Sequence, residues 1–380
     1  GDLTLYVADY DNSRVVKAKV VSETECELIH EYTRPEEALY TSQTFNPTKI
    51  VVDQAENVYA VVQSVNTGSV QFARDGSFTG FYGANRVEVT AAVIAQRLWR
   101  TIAPNEQIAG MTRTVPVEYA NFDIDEDGFI YTVTEVSTST DAVKKLNPAG
   151  YNIWDNEVGN EYTFGDLSGN VWDSTTNTLH ATRLTDIVIG NNGLINILDY
   201  ETGRVFQYDR NCNLICIFGT KNSTSDQRGS FSNPNAVEAL GNNIYVLDGG
   251  KNDITVFTET TFGSYVHSAF EYYDEGRYSD AKADWEEVIK RDGNYTMAYI
   301  GLGRAALNDG EYSEALEYFE TAYDQDNYDK AFEYTREEFL RENFTIIIVI
   351  ILVLIIWFIV LKIIHKKGIY LIKKKAKEGK

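Results

Sequence analysis

The chain has 380 residues and a formal net charge of −22, with 56 Asp and Glu against 34 Lys and Arg. That length has room for two or more domains, and 43% hydrophobic with 13% aromatic residues is enough for a sizeable core. Eight Lys and one Glu fall from Lys362 onwards, which leaves −29 on residues 1–361. A surface that acidic excludes nucleic-acid binding, which needs a basic face. The three cysteines, Cys26, Cys212 and Cys216, are an odd set and form no disulfide framework. With 25 Tyr and many short apolar runs, the composition leans towards β structure.

Leu3–Val7 already reads as a strand. With no initiator Met, the sequence predicts a signal peptide ahead of Gly1, with room for an initial strand. Five segments then share one pattern of strand, turn, strand, polar turn, strand. Their second-strand cores are LYVAD (Leu5–Asp9), VYAVV (Val58–Val62), IYTVT (Ile130–Thr134), INILD (Ile195–Asp199) and IYVLD (Ile244–Asp248). Asp9 precedes Arg14 by five residues and Asp199 precedes Arg204 by the same interval. The stretches from Arg74 to Gly83 and from Arg210 to Gly219 align residue for residue. Phe45-Asn46-Pro47 matches Phe231-Ser232-Asn233-Pro234 as a point of re-entry.

These residues resemble the NHL repeat family, whose repeats form the blades of a β-propeller. The resemblance covers roughly residues 1–262 and implies a mainly β fold of about six blades, one of them incomplete. A β-sandwich is the plainer alternative. An insertion over 86–111 has helical spacing at Val87, Ala91, Ile94, Leu98 and Ile102. Arg97, Trp99 and Arg100 make it a candidate docking helix for a partner; a lid packed on its own blade is the other reading.

Asp123-Ile-Asp125-Glu-Asp127-Gly128 has the opening of a calcium loop, but Thr134 stands where the bidentate twelfth ligand belongs. Aligned segments make this a strand-to-strand turn, where Asp, Asn and Gly are expected. The four histidines, His30, His180, His267 and His365, are scattered, and no Ser-His-Asp or Cys-His arrangement can be argued. The expectation is therefore no catalytic residues, no metal and no cofactor.

Residues 263–343 carry a repeat with a period of 34: Ala269 recurs as Gly303, Gly276 as Gly310, Tyr278 as Tyr312, Ala281 as Ala315 and Trp285 as Phe319. This resembles the tetratricopeptide (TPR) pattern, in which small residues let two antiparallel helices approach and aromatics fill between them. A third helix, Tyr328 to Arg341, is expected to cap the pair. TPR arrays usually bind proteins, so Tyr299 and Tyr312 join Arg97, Trp99 and Arg100 as candidate partner contacts.

Ile346 to Leu361 contains no charge. With Ile363 and Ile364 it spans about 28 Å as a helix, close to the hydrocarbon thickness of a bilayer. Residues 344–364 thus read as one transmembrane helix, and the Lys-rich tail, 365–380, reads as cytoplasmic. The acidic remainder then lies outside a plasma membrane.

The whole resembles bacterial membrane-anchored proteins with an NHL propeller, a short TPR and a C-terminal membrane helix, a group that looks like accessories of sugar ABC transporters. The resemblance implies a non-enzymatic binding or scaffold protein whose partner is an integral membrane protein such as a transporter permease. The alternatives are a cell-surface propeller enzyme of lactonase or hydrolase type and a direct glycan binder. Protease applied to intact cells should remove residues before about 343 and spare the basic tail; the reverse pattern would overturn the orientation.

Overall fold

The computed structural model describes residues 3–83, 118–135, 142–154, 164–166, 171–173, 178–180, 182–223 and 227–378. The insertion expected over 86–111, with Arg97, Trp99 and Arg100, lies outside the described residues. Two compact units divide the chain, Gly1–Thr260 and Thr261–Lys380. The first consists of strands in several small sheets and the second is helical.

The first sheet is β1 (Thr4–Asp9), β2 (Arg14–Ser22) and β3 (Glu25–Tyr32). The second is β4 (Pro47–Val52), β5 (Val58–Val62), β6 (Ser69–Phe72) and β7 (Phe78–Tyr82). The third is β8 (Asn121–Ile124), β9 (Ile130–Val133) and β10 (Val143–Leu146), followed by a hairpin of β11 (Val171–Asp173) and β12 (Thr178–His180). The fourth large sheet is β13 (Leu184–Ile189), β14 (Ile195–Asp199), β15 (Arg204–Tyr208) and β16 (Leu214–Phe218). A short parallel pair, β17 (Thr220–Lys221) and β18 (Ser230–Phe231), leads to the last sheet, β19 (Pro234–Leu240), β20 (Asn243–Asp248) and β21 (Asp253–Thr258).

The five repeated segments form β1, β5, β9, β14 and β20. In four sheets that strand is second; in the first sheet it is the edge strand. The repeat extends to irregularities. Register shifts fall at Gln71/Phe72 against β7 and at Gln207/Tyr208 against β16, and again just after Pro47 and just after Pro234. A bulge is a local insertion that bends a strand, so its recurrence marks these as copies of one unit.

Successive sheets pack face to face. Val15 and Tyr32 of the first meet Phe45, Val58 and Phe72. Val51, Tyr59 and Tyr82 of the second meet Phe122, Ile130 and Leu146. Tyr131, Val133 and Val143 of the third meet Ile187, Ile195 and Phe206. Val188, Leu198 and Val205 of the fourth meet Val237 and Val246 of the last. The strands β1, β4, β8, β13 and β19 lie side by side in that order. Every residue of β5 and of β14 is buried. A strand covered on both faces reads as a continuous apolar run, not an alternation, which is the form of VYAVV.

The helical unit comprises α1 (Thr261–Asp274), α2 (Tyr278–Arg291), α3 (Thr296–Asp309), α4 (Tyr312–Ala322) and α5 (Gln325–Glu378). Gly310 ends α3 in the left-handed region (φ 83°) and its N–H reaches the carbonyls of Ala306 and Leu307, a common helix stop that glycine adopts without a Cβ penalty. Ala281, Ala315 and Phe319 are fully buried, and Trp285 nearly so. Small residues are required opposite the aromatics. A Cβ on Gly301 would lie 2.1 Å from Trp285 Nε1, and one on Gly303 would lie 2.6 Å from Phe319 Cε1.

The capping helix expected at Tyr328 to Arg341 is the start of α5, which continues without a break through the apolar stretch. Ala331 and Tyr328 of α5 close the core formed by Ala306, Ala315 and Phe319. Side chains from Ile348 to Leu361 are exposed, and by length and composition this helix is able to cross a membrane. Replacing Gly303 with Val should destabilise the helical unit by about 1–3 kcal/mol, the usual penalty of overpacking. Thermal unfolding followed by far-UV circular dichroism reads this as a lower midpoint, and Gly303→Ala should show a smaller loss.

Candidate functional site

The strand-to-strand turns carry the polar chemistry of the first unit. Asp125 N–H donates to Phe129 O at 3.0 Å and Gly128 N–H donates to Asp125 O at 3.1 Å. Asp125 Oδ1 accepts the N–H groups of Asp127 and Phe129, and Oδ2 accepts the Tyr131 hydroxyl at 3.1 Å. Asp53 does the same for Ala55 N–H, Asn57 N–H and the Tyr59 hydroxyl. The calcium-like DxDxDG is thus one copy of a recurring turn whose carboxylate is spent on the backbone. Among the described residues no group of three His, Cys, Asp or Glu side chains is placed to hold a metal ion.

The other acids of that motif and its neighbours tie the adjacent inner strands together. Asp123 Oδ2 of β8 accepts Ile189 N–H of β13 at 2.7 Å. Asp186 of β13 accepts Val237 N–H of β19 at 2.7 Å and the Asn121 side chain of β8. Burial pushes the Asp123 carboxyl up to about 6, with smaller pushes from Glu238 and Asp186, against the pull of its two N–H donors. Asp186 is raised for the same first reason, burial, although Lys49 and three donors oppose it.

Between the third and fourth sheets lies a cavity of about 240 Å³, lined by residues that include Asp125, Asp127, Tyr131, Lys145, Gly193 and Arg210. Lys145, on β10 directly across from Tyr131, stacks its Nζ 5.0 Å from the Tyr131 ring centre and 4.6 Å from that of Phe129. Asp125 Oδ2 lies 3.8 Å from its Nζ, with the lysine side chain 15% exposed. Burial lowers the Lys145 ammonium from its ordinary value, with Asp125 opposing and Arg210 adding to the fall. Arg210 has no ion-pair partner among the described residues, and its side chain lies over Gly193. The arrangement suits binding of a small polar molecule. Cys212, in the adjoining turn at φ 65°, has its thiol pushed up to about 12, chiefly by burial; it is held as an inert thiol.

Of the residues singled out from sequence, Tyr299 is half-buried on α3 and donates its hydroxyl to Gly293 O at 3.0 Å. Tyr312 stacks on Tyr334 of α5 with ring centres 5.5 Å apart, so its ring helps seat the capping helix. Arg14 pairs with Asp9 at 2.8 Å, whereas at the same spacing Arg204 turns to Asp166 while Asp199 accepts Arg183 N–H and the Thr202 hydroxyl. Cys212 and Cys216 lie in a turn and in β16 of one hairpin, and all three cysteines are free. Sequence reasoning did not find Lys145 and Arg210. The one usable signal was the alignment of Arg210 with Arg74.

The tetratricopeptide repeat family matches residues 269–330. No curated protein matches the chain. Among solved structures, the chain is similar to virginiamycin B lyase from Staphylococcus aureus, at 9% identity and a TM-score of 0.35, over 67% of this chain and 66% of that one. It therefore spans just under two thirds of that protein's length. A protein from Lactobacillus plantarum matches at 14% identity and a TM-score of 0.36, over 68% and 65% of the two chains. PorZ, a surface component of the type-IX secretion system of Porphyromonas gingivalis, matches at 11% identity and a TM-score of 0.32, over 69% of this chain and 39% of that one.

The Asp123 carboxyl gives a pH dependence with a definite sign. Its folded value of about 6 stands above the ordinary 3.8, so its contribution to stability is complete below the ordinary value and is lost as pH rises through 6. The loss is about 3 kcal/mol at 1.36 kcal/mol per unit. Denaturation midpoints measured across this window should fall with pH in the native protein. Asp123→Asn should flatten the curve.

Proposed function

We propose that this protein is a membrane-tethered scaffold that holds a protein-binding surface outside the cytoplasm. The observation that carries the reading is the continuity of α5. The helix whose Tyr328 and Ala331 complete the TPR core is also the helix with the apolar stretch. A repeat pair sharing a helix with its anchor is held at the bilayer surface, where it meets other membrane proteins. TPR units bind proteins as a rule.

In this proposal the strand unit is an NHL-type β-propeller. The side-by-side inner strands, the core shared between each pair of successive sheets and the recurring bulges support it. The partner is an integral membrane protein, the permease of a sugar or other solute importer, touched through Arg97, Trp99 and Arg100 and through the TPR surface around Tyr299. The role is non-enzymatic, with the acidic region outside and the Lys-rich tail inside. Affinity purification from native membranes in mild detergent tests it. A multi-spanning protein should co-purify, and Arg97→Glu with Arg100→Glu should weaken its recovery several-fold while the strand unit stays folded. A lone monomer from native membranes would overturn the scaffold reading.

A further inference from the structure

The interface between the first and second sheets contains a finished version of the cavity found between the third and fourth. Lys17 on β2 lies across from Tyr6, as Lys145 on β10 lies across from Tyr131. Lys17 Nζ sits 5.4 Å from the Tyr6 ring centre and Lys145 Nζ sits 5.0 Å from that of Tyr131. The next sheet supplies a turn to each interface. In the second sheet its left-handed residue is Glu56 (φ 62°), and in the fourth it is Gly193 (φ 76°). The two turns close with the same bond, Glu56 N–H to Asp53 O and Gly193 N–H to Gly190 O. The following hairpin supplies Arg74 in one case and Arg210 in the other. At the first interface the Glu56 carboxylate bridges both cations: Oε2 accepts Lys17 Nζ, and Oε1 lies 3.3 Å from Arg74. At the second interface both cations remain and no described carboxylate bridges them: the Arg210 guanidinium lies against the bare Gly193 position, and Lys145 has Asp125 of its own sheet at 3.8 Å.

The geometry points to a ligand carboxylate in that place: the cavity between the third and fourth sheets takes a small hydroxylated carboxylate, of the sugar-acid or hydroxy-acid class, bridged between Lys145 and Arg210. Asp125 does not fill the role. It belongs to the sheet of Lys145, and its oxygens already accept two N–H groups and the Tyr131 hydroxyl. Asn191, Glu126 and Asp127 also line the cavity and offer side-chain groups for ligand hydroxyls. A volume of about 240 Å³ is below the range of drug-sized pockets and suits a single small acid. The guanidinium gives the planar, two-point recognition that a carboxylate favours. Lys17, which has its carboxylate, is held above its ordinary value by Glu56, whereas Lys145 is lowered by burial. An added anion would reverse that loss.

The test is calorimetric titration of the full-length protein in detergent with D-glucuronate, and with glucose and acetate as controls lacking the acid or the hydroxyls. Glucuronate should bind saturably, glucose should not, and acetate should bind more weakly. Arg210→Met and Lys145→Met should each weaken glucuronate at least tenfold. Gly193→Glu should abolish binding, because its Cβ would stand where the Arg210 guanidinium now lies and its carboxylate would compete for Lys145 and Arg210; Glu56 shows that a turn of this kind accepts Glu at a positive φ. Absence of saturable heat with glucuronate, equal binding of glucose, or unchanged binding in Gly193→Glu would each overturn the assignment. Should Arg210→Met fail to fold, Lys145→Met decides the question. Loss of binding there leaves the scaffold reading intact, because no TPR residue is touched.

Discussion

The strand unit depends on one small hydrogen-bonded turn. Its first residue donates its N–H to the fifth and accepts the N–H of the fourth, as in Asp53–Asn57, Asp125–Phe129, Asn147–Tyr151 and Asp209–Asn213. In each of these four the first side chain adds an oxygen that accepts the N–H of the third and fifth residues. The fourth residue is always left-handed: Glu56, Gly128, Gly150 and Cys212. That geometry fixes the register of each hairpin, because a shift by one residue would turn every apolar side chain to the wrong face. That left-handed position is Glu in one turn, Cys in another and Gly in two, and Glu56 uses it to reach Lys17 of the first sheet.

Between the sheets the stabilising elements are of two kinds. Apolar side chains alternate along β5 and β14 so that each strand feeds two cores, and each fully buried Val or Ile contributes about 1.5–3 kcal/mol. The inner strands add carboxylates that reach across to the next sheet's backbone, Asp123 to Ile189 and Asp186 to Val237. These acids are buried at a desolvation penalty that raises their protonation range. Their N–H partners offset that penalty and tie the strands in a fixed order, which apolar packing alone leaves less specific.

The helical unit uses a different device. Gly301 and Gly303 on one helix admit Trp285 and Phe319 from the helices on either side. The interface is set by shape, and any added methyl group meets an aromatic ring. Because α5 completes that core and then runs on as an apolar helix, the repeat pair and the segment that follows share one element.

The sequence by itself determined the elements and their repetition. The VYAVV-like runs, the Asp/Asn-Gly turns, the 34-residue helical period and the apolar stretch at Ile346–Leu361 are local or periodic signals, and each is dictated by backbone chemistry a few residues long. It also marked DxDxDG as a strand-to-strand turn, since the aligned segments carry Asp, Asn and Gly where a turn expects them. Tertiary structure alone decided which turn faces which strand. Lys145, Gly193 and Arg210 are far apart along the chain, and a glycine in a turn has the same local meaning whatever stands opposite it in the neighbouring sheet. Only the packing of the fourth sheet on the third brings Gly193 and Arg210 to the cavity that Lys145 lines, because contacts between sheets join residues distant in sequence.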